Sequence, residues 1–116
     1  MTDPASPLPR VSVIIPAYNG AATIDETLDS VRAQTLREIE IIVIDDGSTD
    51  DTASRVERHM LQDPRIRLLR NANGGVARAR NAGIAEARAG LIAPLDADDL
   101  WHPEKLALQL RALERG

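Results

Sequence analysis

The chain has 116 residues, the size of one domain around one hydrophobic core. A net charge of −4, no basic block and only Tyr18 and Trp101 as aromatic residues exclude the basic, aromatic-studded surface that binds nucleic acid. The absence of cysteine excludes disulfides, thiolate metal sites and a cysteine nucleophile, and no apolar run approaches the ~20 residues of a transmembrane helix.

Residues 1–10 carry Pro4, Pro7 and Pro9 without a hydrophobic run, and read as a flexible N-terminal tail rather than a signal peptide. Val11 to Ile15 is a β-branched run that reads as a first buried strand ended by Pro16. After a turn over residues 16–20, a helix is expected over about Ala22 to Gln34, with Ile24, Leu28 and Val31 on its inner face. Ile39 to Ile44 is the second strand, and its near-continuous hydrophobicity predicts burial on both faces, as in a parallel sheet covered by helices. Residues 45–51 form an acidic loop in which Ser48 or Thr49 can cap the next helix. That helix runs to about Leu61, with Ala53, Val56 and Met60 inward, and Asp63-Pro64 ends it. A shorter strand, Ile66 to Leu69, leads to a glycine loop at residues 71–75 and a small-residue helix from about Val76 to Ala87. Leu91 to Leu95 reads as a fourth buried strand, and a last helix opened by Pro103 carries Leu106, Leu110 and Leu113.

Four repeats of strand, loop and helix predict an α/β, Rossmann-like three-layer sandwich with a mainly parallel sheet. In such a sheet ligands bind beyond the strand C-terminal ends, and the chemically notable residues all follow strands. Tyr18 and Asn19 follow the first, Asp45 and Asp46 the second, Asn73 to Gly75 the third, and Asp96, Asp98 and Asp99 the fourth. Three carboxylates so close repel one another unless solvated, used as helix caps or neutralised by a cation. Oxygen ligands of this kind suit Mg²⁺ or Mn²⁺, bound together with substrate phosphates; capping of the last helix by Asp98 and Asp99 is the alternative. The chain lacks a dinucleotide fingerprint, a phosphate-binding P-loop and a nucleophile elbow. Asp46 is suited to accept a base N–H, and Tyr18 to pack on a base or ribose. Trp101 is expected to pack over the sheet edge, His59 to lie on the surface, and His102 to begin the last helix.

Four stretches taken together, residues 11–19, 44–50, 73–83 and 96–99, resemble the family 2 glycosyltransferases in order and spacing. The resemblance implies a GT-A fold that binds a nucleotide-diphospho-sugar, a UDP-sugar for preference, with Mg²⁺ or Mn²⁺. It implies that Ala17 and Tyr18 line the nucleoside pocket, that Asp46 contacts the base, and that Asp45 supports the loop. Asp96 and Asp98 stand at the ends of the D-x-D motif, with ribose contacts on Asp96 and the metal on Asp98 and Asp99. Arg80 and Asn81 match by pattern, with a solvated or salt-bridged arginine as the alternative. The implied chemistry is inverting transfer to a polysaccharide or glycolipid acceptor, in the cytoplasm or peripherally at the inner membrane face. In the family the catalytic base lies further along, so no base is assigned here. Residues 11–116 read as the nucleotide-sugar-binding part of the fold, truncated after four strand–helix units. Donor binding rather than turnover is therefore expected of this chain alone, and apolar surface left bare favours self-association. The alternative is a non-catalytic nucleotide-sugar-binding or assembly module.

Overall fold

The structure, a computed structural model, describes residues 8–115; residues 1–7, most of the expected tail, and Gly116 lie outside the described residues. Strand and helix alternate as β1 (Val11–Ala17), α1 (Ile24–Arg32), β2 (Ile39–Asp45), α2 (Thr52–Gln62), β3 (Ile66–Arg70), α3 (Val76–Ala85), β4 (Leu91–Pro94) and α4 (Lys105–Arg115). The sheet is parallel throughout, in the order β3-β2-β1-β4. The two most apolar runs are the two central strands, and every residue of β1 and β2 is buried.

Side chains alternate between two faces, as the period of a strand requires. Val13, Ile15, Ile41 and Val43 pack with Ile24, Leu28 and Val31 of α1, Val56 of α2, and Leu106 and Leu110 of α4. Ile14, Ile42 and Ile44 meet Ala79 of α3 on the other face. This second face is closed at short range. A Cβ at Gly83 would fall 2.5 Å from Ile44 Cδ1 and 2.9 Å from Ile14 Cγ2, so only glycine lets α3 lie this low.

Several boundaries differ from expectation, each for a local reason. β1 runs through Pro16 to Ala17, because the β2 side of the ladder continues there, with Pro16 opposite Ile44 and Ala17 opposite Asp45. On the other side, Leu95 N–H still donates to Ile14 C=O at 2.9 Å. The next rung would need an N–H from Pro16, which proline lacks, and the β1–β4 ladder stops. Helix α1 begins at Ile24 rather than Ala22, since the amides of Thr23 and Ile24 both turn back to Gly20 C=O.

The expected burial of the fourth strand is not found. β4 is one of the two edge strands, and Leu91 and Ile92 are each more than a third exposed, while Leu95 just beyond it is buried. An apolar run signals a strand, but not how many neighbours cover it. Leu113 likewise lies outside the core at 62% exposure, and Leu106 and Leu110, with partly buried Ala107, carry the inner face of α4. His59 is buried between α1 and α2, against the expected surface position. Because the Arg32 guanidinium can only donate, His59 Nδ1 accepts from it at 3.0 Å. Nε2–H then serves Asp25 at 2.9 Å.

Candidate functional site

The strand order reverses between β1 and β4, and the four loops at the C-terminal ends lie side by side in the order of their strands. Each is bonded to its neighbour. The acidic loop after β4 is held at the start of α1: Thr27 Oγ1 lies 2.8 Å from both Ala97 C=O and Asp99 C=O, which share its one proton, and Thr23 Oγ1 donates to Ala97 C=O at 2.9 Å. The loop after β1 is joined to the loop after β2 through Asn19, a non-glycine residue with φ of 49°, a conformation asparagine tolerates. Its Oδ1 accepts from Thr49 N–H at 2.8 Å, and its own N–H donates to Ser48 Oγ at 2.9 Å. Gly20 N–H donates to Thr52 Oγ1 at 2.9 Å and Ala21 N–H to Asp50 at 3.2 Å. The hydroxyl of Thr52 donates in turn to Asp50 and helps hold its carboxyl below the usual range.

The loops after β2 and β3 are joined by Asp46. Both of its oxygens accept backbone amides, Oδ1 from Gly74 and Oδ2 from Gly75, each at 3.0 Å. Gly47, at φ of 80°, passes so close that a Cβ there would lie 2.8 Å from Asn73 N. Asp45 is buried beneath, accepting Ser48 N–H at 3.0 Å, with Arg70 Nε 3.8 Å from its other oxygen.

The residues singled out in the sequence collect at two places on this edge. Ala17, Tyr18 and Asp46, with Pro16, Val76 and Ala79, line a slot of about 80 Å³ on the α3 side. Tyr18 is 53% exposed at its rim, the position of a side chain free to meet a ligand. Asp96, Asp98 and Asp99 are exposed and each offers a carboxylate oxygen within 4.8 Å of the others. The capping alternative fails for them, because α4 begins only at Lys105, and Asp99 N–H instead closes a turn on Asp96 C=O at 3.0 Å. Solvated hard oxygens at this spacing fit a divalent cation that keeps part of its hydration and shares the rest with a diphosphate. Ser48 and Thr49, expected as helix caps, serve the loop junction instead, and Asp50 accepts Thr52 N–H at the start of α2. Arg80, on α3, has its Nε buried without a hydrogen-bond partner, while Asn81 is exposed.

Trp101 lies half-buried against the α1 face, its backbone N–H donating to Ser30 Oγ at 3.2 Å, with Lys105 Nζ 5.0 Å from the ring centre. His102 Nδ1 accepts Glu104 N–H at 3.1 Å just before α4. Buried Gln34 ties α4 to α1, donating to His102 C=O at 2.8 Å and accepting Leu106 N–H at 3.1 Å. Asn19 was singled out in the sequence by its place after β1, but Thr23 and Thr27 were not legible as site residues: the carbonyls they hold lie 70 to 74 positions away and follow no periodic pattern.

Residues 12–116 match the glycosyl transferase family 2, and the chain belongs to that family. It is 46% identical over 107 residues to a glycosyltransferase of Rickettsia felis, covering 92% of this chain and 18% of that protein. It is 38% identical over 104 residues to a chondroitin synthase of Pasteurella multocida, covering 90% of this chain and 11% of that one. The chain therefore spans under a fifth of the length of these curated relatives. Among solved structures it resembles the mannosyltransferase PcManGT of Pyrobaculum calidifontis in complex with GDP-Man and Mn²⁺. That likeness has a TM-score of 0.85 and 34% identity, over 93% of this chain and 33% of the other. S. aureus TarS in complex with UDP-GlcNAc gives a TM-score of 0.84 and 29% identity, over 91% and 31%. The fold is that of the GT-A glycosyltransferases.

Proposed function

We propose that residues 11 onward form the donor-binding unit of an inverting glycosyltransferase, taking a nucleotide-diphospho-sugar, UDP-linked for preference, together with Mn²⁺ or Mg²⁺. The carrying observation is the pairing, along one chain of hydrogen-bonded loops, of a slot lined by Ala17, Tyr18 and Asp46 with the acidic group Asp96, Asp98 and Asp99. The solved relatives that bind UDP-GlcNAc or GDP-Man support the same ligand class.

In this reading Tyr18 packs on the nucleoside, and Asp46 takes a base N–H with the lone pairs its two glycine amides leave free. Asp45 stays buried and holds the turn beneath. Asp96 meets the ribose, and Asp98 and Asp99 hold the cation. A bound divalent cation supplies positive charge to the diphosphate as it departs. The acceptor hydroxyl of a polysaccharide or glycolipid attacks the anomeric carbon opposite the bond to the diphosphate, which breaks as the nucleoside diphosphate leaves; the carbon is inverted and the hydroxyl proton passes to a base. No carboxylate of this chain is assigned as the base. A cytoplasmic setting, peripheral at the inner membrane face, belongs to the same proposal; among the described residues no helix is long and apolar enough to cross a membrane.

Calorimetric titration of UDP and of GDP, with and without Mn²⁺, tests it. Mn²⁺-dependent binding of UDP is expected, and dependence on GDP instead would change the base but keep the site. Asp98→Ala should weaken the metal-dependent part by more than about tenfold, since even outer-shell partners of a metal are worth that much. Asp46→Ala should weaken uridine itself, with or without metal. Binding of neither nucleotide to the folded chain would overturn the reading.

A further inference from the structure

β4 carries the acidic loop, yet little in β4 itself determines where it sits. It is four residues long, lies at the edge of the sheet, and leaves Leu91 and Ile92 more than a third exposed. Register is strongly specified only where a face is buried, so a strand like this is prone to slip. Beyond its C-terminal end, Thr27 and Thr23 fasten the acidic loop to α1. A second anchor stands before its N-terminal end, on the opposite face of the sheet.

That anchor is Glu40 of β2, a carboxylate with 1% of its surface exposed. A buried charge is tolerated only when its oxygens are fully partnered. The partners of Glu40 converge on the turn between α3 and β4. Oε2 accepts Arg88 N–H and the Ser12 hydroxyl, and Oε1 accepts Arg88 Nε–H at 3.3 Å, with Arg67 Nη1 3.6 Å away. Ser12 Oγ passes the restraint on, accepting Ala89 N–H at 3.1 Å. Two backbone amides just before β4 are thus tied to buried side chains of β1 and β2, the two central strands, in which every residue is buried.

We propose that Ser12 and Glu40 are positioning residues: they fix where β4 begins, and so the height at which Asp96, Asp98 and Asp99 stand at the site. The part concerning the cation rests on the donor-site reading above. The strand itself is tested without it.

Hydrogen exchange should be followed in the full chain and in Glu40→Gln, which keeps the side-chain shape, and in Ser12→Ala, which introduces no bulk should the first variant fold poorly. In either, exchange at Ala93 and Leu95 should rise at least about tenfold more than at Ile15 and Val43, which report global opening. Mn²⁺ affinity should fall about tenfold, the usual worth of a group that orients metal ligands, while uridine affinity stays unchanged. A rise at Ala93 and Leu95 that merely keeps step with Ile15 and Val43 would overturn the anchoring. Selective loosening of β4 with unaltered Mn²⁺ affinity would overturn its link to the acidic group. If the parent chain bound neither Mn²⁺ nor uridine, the donor-site reading would fall, and the exchange comparison would still decide the anchor.

Discussion

Gly83 carries a large share of the second face, because the side chain it lacks would collide with two isoleucines that have no exposed surface to retreat toward. Gly83→Ala gains about 1 kcal/mol in helix propensity. Overpacking costs about 1–3 kcal/mol, so a net loss of roughly 1 kcal/mol is expected in denaturant unfolding. Adding Ile44→Val, which removes the Cδ1 atom nearest the new methyl, should recover part of that loss; strict additivity of the two changes would refute the contact. At this scale the sequence spoke clearly where chemistry is clustered. Asp45, Asp46, Asp96, Asp98 and Asp99 announce themselves by charge and by position after strands. Thr27, Ser12 and Glu40 do not, because what defines them is a partner far away in the chain. Glu40 is the one charged residue between Ile39 and Ile44, and its burial is intelligible only with Ser12 and Arg88 beside it.

Existence and order of the elements followed from hydrophobic periodicity, and all eight were found. Their ends did not follow, since ends depend on single hydrogen bonds such as those that delay α1 to Ile24. The burial of β4 was misjudged for another reason: pattern reports the faces of a strand, while neighbours decide whether those faces are covered. The joins between elements also set the acid response. At the junction of α2 and β3, Arg65 bonds Asp63 and holds its carboxyl below the ordinary value of 3.8, outweighing burial. For Glu40 burial opposes ionisation, but the Arg88 amide, Ser12 and the Arg88 side chain prevail and hold it below 4.5. A carboxyl with a lowered folded pKa contributes stability that is complete above its unfolded value and lost as pH falls through its folded one. The stability these two carboxyls contribute should therefore be complete above about pH 5, and melting temperature should fall progressively below it. Asp63→Asn should flatten that fall; an unchanged acid limb would remove Asp63 from it.

Across the whole molecule, one helix covers the α3 face and three cover the other, and the uncovered margin lies along β4. There Val11, Leu91, Ala93, Leu106, Leu110 and Leu113 border an apolar groove of about 380 Å³. Self-association through this groove is the expected outcome, since exposed apolar patches of this kind seek a cover. Edge-to-edge strand pairing is not the expected route, because Pro94 leaves the open side of β4 short of a donor. Sedimentation over a range of concentrations should show reversible dimers, weakened several-fold by Leu113→Glu, a change at an exposed position. A monomer at all concentrations, or a dimer indifferent to Leu113→Glu, would exclude the groove. Pro16 has a consequence of another kind. It works like the stop of a zip: β1 and β4 close upward from their N-terminal ends and can close no further. The level at which the two strands part is therefore written into the covalent chain. Whatever the loops above do, they start from that same level.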